Sequence, residues 1–385
     1  MKAKKSISFL VFVALALASI SAMSDPAKQD PVRLYRFTEN GLQGYMDCTG
    51  KTVIPARWLK ADNFYEGLAA VKEDGLWGFI DTKGQYVIKP KYISVSEFSE
   101  GLSATLDSET HLYGFIDKTG RWAIRPQYVD AMKFSHGLAP VAIDDPNKKE
   151  DDCYCRLWGY INKQGKMVVA PHYNLAMPMV EGYAEVKLDE RWGYIDSTGK
   201  EVIAPQFGYA NSFSEGLAGV TRGKYITDPW VYINTNGEDA IPRQFNFTGY
   251  FSEGLATVSA KDISNREVYI DHKGNVIITG DFKIALSFQE GLAPVQVDYK
   301  WGFINHSGKL VIEAKYDDVE SFQNGLARVY MTDENGENGI RGYIDKKGRW
   351  VRNWPSDEWE DIYDEEPYDY YMEEEFYDEE EPAQE

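Results

Sequence analysis

A three-part pattern recurs along this chain at a nearly constant interval, and it limits the fold more than any other feature. Its clearest copy reads Phe64-Tyr65-Glu66-Gly67-Leu68-Ala69-Ala70-Val71, then Trp77-Gly78-Phe79-Ile80-Asp81-Thr82-Lys83-Gly84, then Val87-Ile88-Lys89-Pro90-Lys91-Tyr92. The Glu-Gly-Leu core returns, with small changes, around Gly101, Gly137, Gly182, Gly216, Gly254, Gly291 and Gly325, at spacings of 34 to 38 residues with one of 45. The long interval holds the polar run Asp144 to Asp152 and reads as a loop insertion in one unit. The Trp-Gly part keeps pace at Trp158-Gly159, Trp192-Gly193 and Trp301-Gly302, with Tyr113-Gly114 and Arg341-Gly342 as weaker copies. Gly44-Tyr45-Met46-Asp47 opens an N-terminal unit that lacks its Glu-Gly-Leu segment, as a terminal cap would. About nine units result, starting near residues 31, 64, 98, 134, 177, 213, 251, 288 and 322.

Each block is a short run rich in Val, Ile, Phe, Tyr and Trp bounded by Gly, Pro, Asn or Asp, which is the signature of strands. No unit carries a helical apolar stripe. Turns such as Asp81-Thr82-Lys83-Gly84, Asp196-Ser197-Thr198-Gly199 and Asn305-His306-Ser307-Gly308 place Asx first and Gly fourth. The Asx side chain caps a type I turn and Gly takes the positive φ behind it, which makes a hairpin with a Gly bulge. Gly78 leaves room for a neighbouring backbone or ring, and Pro90, Pro126, Pro171 and Pro205 suit a sheet edge. The expectation is all-β: about three short antiparallel strands per unit, stacked side by side, each unit stable only against its neighbours. A closed propeller and an open superhelical array both fit. The period is short for a four-stranded blade, which tilts the expectation toward an open or propeller-like array.

With these blocks in hand, the chain resembles the WG-repeat (KWG-repeat) proteins, from about Pro31 to Trp354. The resemblance implies repeat architecture more than a molecular role. Two consecutive units depart from it, with Trp230-Val231 and Val268-Tyr269 in place of Trp-Gly, so packing over residues 228 to 275 is expected to differ.

Lys2, Lys4 and Lys5 precede the apolar stretch Phe9 to Ile20 and a small-residue cleavage region, so residues 1–22 read as a secretory signal peptide. Residues 23–352 form the array and 353–385 an acidic tail. Export to the periplasm or the outside of the cell is the expected localisation. No later apolar stretch is long enough to span a membrane. Of the net charge of −20, the tail carries −16 with no Lys or Arg, interleaved with Tyr and Trp; such a run reads as a disordered, solvated tail or a contact for a basic partner. Nucleic-acid binding, which needs a basic patch, is disfavoured. The three cysteines give no framework, although Cys153 and Cys155 could close a local disulfide.

No catalytic, cofactor-binding or metal-ligating constellation emerges. His111, His136, His172, His272 and His306 read as isolated surface substitutions, His136 in the place of the repeat Glu. Glu66, Glu100, Glu181, Glu215, Glu253 and Glu290 recur from unit to unit and therefore serve the unit, whereas a glycosidase pair would break the pattern. The recurring Trp77, Gly78, Asp81, Gly84, Trp158, Gly159, Trp192, Gly193, Asp196, Trp301 and Gly302, with Gly67, Gly101, Gly216, Gly254 and Gly291, read as architectural positions. Tyr92, Tyr128, Tyr173 and Tyr316 read as core between units, with a carbohydrate platform as the competing use. The resulting expectation is a non-enzymatic protein-interaction scaffold without cofactors. A glycan- or cell-wall-binding module is the alternative, and a hydrolase stands behind both.

Overall fold

The computed structural model describes residues 33–147, 156–260, 264–333, 335 and 338–356. The signal-peptide stretch, Cys153 with Cys155, and residues 357–385 of the tail lie outside them. All regular elements among the described residues are strands. They form nine separate antiparallel sheets, over residues 35–58, 60–92, 94–128, 130–173, 175–207, 209–234, 247–278, 284–316 and 318–356. The second unit shows the plan. Lys60–Ala61, Leu68–Glu73, Leu76–Asp81 and Tyr86–Tyr92 lie side by side in chain order. Three strands are those read from the sequence; the short first strand is an addition, too brief to show a side-chain period. The last strand, Trp350–Ser356, runs into the stretch assigned to the tail.

The Trp-Gly glycine has a specific geometric cause. Trp77 pairs with Tyr92 and Phe79 with Ile88, so residues 89–91 bulge past the single residue Gly78. A Cβ on Gly78 would lie 2.5 Å from the Ile88 carbonyl oxygen and 2.6 Å from Pro90 N. In the seven units with Gly at this seat the strand that bulges past it, which carries a proline in all but the eighth unit, is seven residues long, as in Thr52–Trp58 and Leu310–Tyr316. In the sixth unit Val231 faces Val220 and fills the seat, and that strand is replaced by isolated bridges from Phe245 and Asp239. In the seventh unit the register sets Val268 opposite Val258, so Val268 takes the glycine seat and Glu267 the Trp seat, one residue earlier than the sequence alignment placed them. Its last strand shrinks to Val276–Ile278.

The array closes into a ring, so the open alternative does not describe it and the first unit is no free end. At every junction the Gly of one unit's Asx turn presses on an apolar residue in the last segment of the preceding unit, as Gly120 does on Ile88, Gly237 on Ile203 and Gly274 on Ile241. Gly50 of the first unit meets Val351 of the ninth in the same way. Tyr35 Oη donates to the Asn324 carbonyl at 2.6 Å, and Tyr35, Phe37, Met46, Leu326 and Tyr343 share one core cluster. Arg352 occupies the position of Ile88. It donates to Thr52 Oγ1 at 2.7 Å and its guanidinium lies 3.5 Å from the centre of the Phe37 ring.

Aromatic residues two after the Trp seat fill the space between units. Tyr45 packs on Phe64, Phe79 on Phe98 and Tyr269 on Phe288, with centroids 4.7, 4.7 and 5.0 Å apart. Such pairs add about 1 kcal/mol each beyond burial. In five units the residue is a Tyr whose hydroxyl donates to the next unit's backbone, as Tyr45 to Asp62 O, Tyr194 to Asn211 O and Tyr232 to Gly249 O do, each at 2.7 Å.

Candidate functional site

The repeat carboxylates are held in structural contacts. In Tyr65-Glu66-Gly67-Leu68 both central residues have positive φ, 50° and 89°, and Tyr65 and Leu68 exchange backbone hydrogen bonds. This is a two-residue primed turn, for which Asn-Gly is the preferred pair and Glu is strained. The reason for Glu lies in the next unit. Glu66 accepts from Gly101 N at 2.9 Å, Glu100 from Gly137 N at 3.1 Å, Glu181 from Gly216 N at 3.0 Å and Glu253 from Gly291 N at 3.0 Å. Glu290 caps Asn324 N and Gly325 N. The ninth unit, followed by a unit without this turn, carries Asn324, the residue the turn itself favours.

The second residue of the Asx turn reaches the same carboxylates. Lys118 pairs with Glu66 at 3.1 Å, Lys163 with Glu100 at 2.8 Å and Lys346 with Glu290 at 3.0 Å. His272 and His306 stand in the lysine position, 3.2 Å from Glu215 and 3.3 Å from Glu253. Each stacks on a phenylalanine of its own unit, His272 on Phe251 and His306 on Phe288, while the glutamate it meets belongs to the preceding unit. The reading of these two as isolated histidines is therefore corrected: they are junction residues. His136 replaces the capping Glu, and among the described residues no side chain accepts from Gly182 N.

Asp81, Asp117 and Asp196 each accept two backbone N–H bonds inside their own turns. Hydrogen bonds from the following Thr hold the Asp117 and Asp196 carboxyls below the usual range. The tyrosines proposed for a carbohydrate platform are buried: Tyr92, Tyr128, Tyr173 and Tyr316 expose 5% or less. Trp158 and Trp301 are likewise buried, whereas Trp77 and Trp192 are half-buried at the sheet margin.

Two buried carboxyls escaped the sequence reading. Glu185, at the variable position after Gly182-Tyr183-Ala184, is 3% exposed, and neither oxygen has a hydrogen-bond partner. Burial pushes its pKa up to about 7; the Ser212 hydroxyl pulls the other way from nearby without making a hydrogen bond to it. Glu267, in the Trp seat of the seventh unit, is pushed to about 8 by burial although it accepts from Ala285 N. Counting back four residues from the turn Asp271, as from Asp81 to Trp77, places it in that seat. A cleft of about 560 Å³ opens at the seam of the ring and is lined by Cys48, Asn324, Leu326, Asp345, Arg349 and Trp350. Its one close charge pair, Arg349 with Asp345 at 2.6 Å, is self-satisfied. Among the described residues no group of three or more His, Cys, Asp or Glu could hold a metal ion, and no helix is long and apolar enough to cross a membrane.

A closed ring of nine small meander sheets, joined by repeated carboxylate caps, defines a repeat protein of the β-propeller class. The sequence profile of the WG containing repeat family matches residues 44–77, 77–105, 113–145, 158–192, 192–225, 230–262, 269–301 and 301–333, and the chain belongs to that family. Among curated protein sequences none matches this chain. A solved structure described as a eukaryotic initiation factor is similar in fold, at a TM-score of 0.58 and 9% identity, covering 85% of this chain and 97% of that one. AztD of Citrobacter koseri (12% identity, TM-score 0.32, 85% and 86% covered) and Hsv2p of Kluyveromyces lactis (9%, 0.32, 72% and 89%) match more loosely.

Proposed function

We propose that the protein is an exported, non-enzymatic scaffold that binds another protein on the surface of its ring. The observation that carries this reading is the use of the recurring carboxylates. The glutamate that six units present is engaged as a cap on the next unit, and the turn aspartates are engaged inside their own turns. What varies from unit to unit is the exposed side chains on a constant frame, which is how repeat proteins build recognition surfaces. The basis for export is the charged and apolar pattern of residues 2–22. A glycan-binding role loses its main support with the burial of Tyr92, Tyr128, Tyr173 and Tyr316.

The test is affinity capture with the purified chain from the native cell envelope, followed by reconstitution of each captured protein with the pure chain. A reproducible protein partner that binds stoichiometrically and saturably supports the scaffold. Retention on a polysaccharide array with no protein partner would replace it by the glycan reading. Fractionation of cells expressing the chain with and without residues 2–22 tests export: equal cytoplasmic recovery of both forms contradicts it.

A further inference from the structure

The exposed rim of the ring is not uniform in charge. In the first four units the segments 51–58, 85–92, 121–128 and 166–173, each the proline strand and the residue before it, carry seven cations and no carboxylate. Arg57, Lys89, Lys91, Arg121, Arg125 and Lys166 are all exposed, as is Lys51. None of the seven has a carboxylate within ion-pair distance among the described residues, whereas Lys118, Lys133, Arg156, Lys163 and Lys346 elsewhere on the ring each have one. Between the cations the strands expose Val53, Val87 and Val168, at 43, 44 and 39%. The belt is a set of basic strands with an apolar residue between the charges and no carboxylate paired to them; Arg57 donates to the Gly84 carbonyl at 2.6 Å and lies 4.1 Å from the Trp58 ring, and Lys91 lies 4.9 Å from the Tyr92 ring.

The opposite composition belongs to residues 357–385, which hold 16 acidic residues, no Lys or Arg, and interleaved Tyr, Trp and Phe. They follow Ser356, the last residue of the ninth unit's proline strand. That strand lies against the first unit's, where Arg352 bonds Thr52 and Val351 meets Gly50. The acidic segment therefore leaves the ring on the same rim, beside the first of the four basic strands. Twenty-nine residues reach about 95 Å when extended, and packed sheets lie about 10 Å apart face to face. Its length covers the distance across four units.

We propose that residues 357–385 dock in cis along the basic rim of the first four units, carboxylates on Lys89, Lys91, Arg121 and Arg125 and rings on the exposed valines and guanidinium planes. The segment then acts as a strap that occupies this surface and yields it to acidic partners. The inference does not rest on the scaffold reading, since it concerns only how the chain meets itself.

The experiment is zero-length carbodiimide cross-linking of the full chain, which joins carboxylates to amines in direct contact, with peptide mapping. Mixed isotope-labelled and unlabelled chains separate intrachain from interchain links. The expected result is intrachain links from residues 357–385 concentrated on Lys89, Lys91 and Lys166. They fall several-fold as salt rises from about 0.01 to about 1 M, where the screening length drops from about 30 to about 3 Å. The variant Arg121→Glu with Arg125→Glu keeps those three lysines and still loses most of the links, with thermal unfolding unchanged because both sites are exposed. Links spread over exposed lysines such as Lys83, Lys273 and Lys309 in proportion to exposure would overturn the proposal. Links that are mainly interchain, or unaffected by the variant, would overturn it as well.

Discussion

At the scale of single residues, the repeat glycines and glutamates divide into those that carry the fold and those whose replacement the fold tolerates. Gly193 faces the Ile203 carbonyl oxygen at 2.5 Å from where a Cβ would stand, and Gly137 faces nothing within 4 Å although its φ is +82°. Gly193→Ala is expected to cost about 3 kcal/mol, because backbone must move, and Gly137→Ala about 1 kcal/mol for the left-handed conformation alone. Urea midpoints of the two variants check the ranking. At His136 the capping bond that six other junctions carry is missing, so His136→Glu is expected to stabilise by about 1 kcal/mol, read as a rise in unfolding temperature. The buried carboxyls set the pH dependence. The folded-state pKa of Glu185 is raised to about 7 and that of Glu267 to about 8. A raised carboxyl is favoured neutral in the folded state. Its contribution is therefore full below the unfolded value near 4.5 and lost as pH rises through 7 to 8. For Glu185 alone the loss is about 3 kcal/mol. The turn aspartates, held low, oppose this only in acid: what they add is present above their unfolded values and lost as pH falls. Stability is expected to peak near pH 5 and decline toward pH 8.5. Denaturant unfolding at both pH values measures it, and Glu185→Gln is expected to flatten the slope.

Strands were the most legible elements. Phe64 to Val71, Trp77 to Asp81 and Val87 to Tyr92 announced themselves by β-branched and aromatic content and by turn residues. The two-residue strands such as Lys60–Ala61 could not, since one pair of residues has no period to read. The Trp-Gly motif signalled close approach at Gly78 but did not say to what; the bulge of residues 89–91 is a tertiary fact. Nor could the role of the repeat Glu be read, because its acceptor bonds reach 34 to 39 residues along the chain. The same bulge accounts for the irregular sector, where Val231 and Val268 block the glycine seat. Hydrogen exchange is expected to show slow amides in Glu201–Phe207 and Leu310–Tyr316 and fast ones over residues 235–244 and 279–283, where a full proline strand is lacking. Equal protection across all nine units would contradict this link between the glycine and the strand.

For the whole molecule, each junction contributes an aromatic contact, a turn glycine on a strand and, in most units, a carboxylate cap. The seam differs, since Asn324 replaces the Glu and Arg352 replaces the apolar residue. Closure was not legible because it depends on the rotation between successive units, which no local pattern encodes. Arg352→Ala removes a stacked guanidinium and its bond to Thr52 and is expected to cost about 2 kcal/mol, measured by denaturant unfolding. The direct test of closure is the distance between spin labels placed on Thr49 and Val351 in a chain whose native cysteines are replaced by serine. A closed ring gives one narrow distribution at the short end of the measurable range. A long or broad distribution, with the first and ninth units apart, would contradict it.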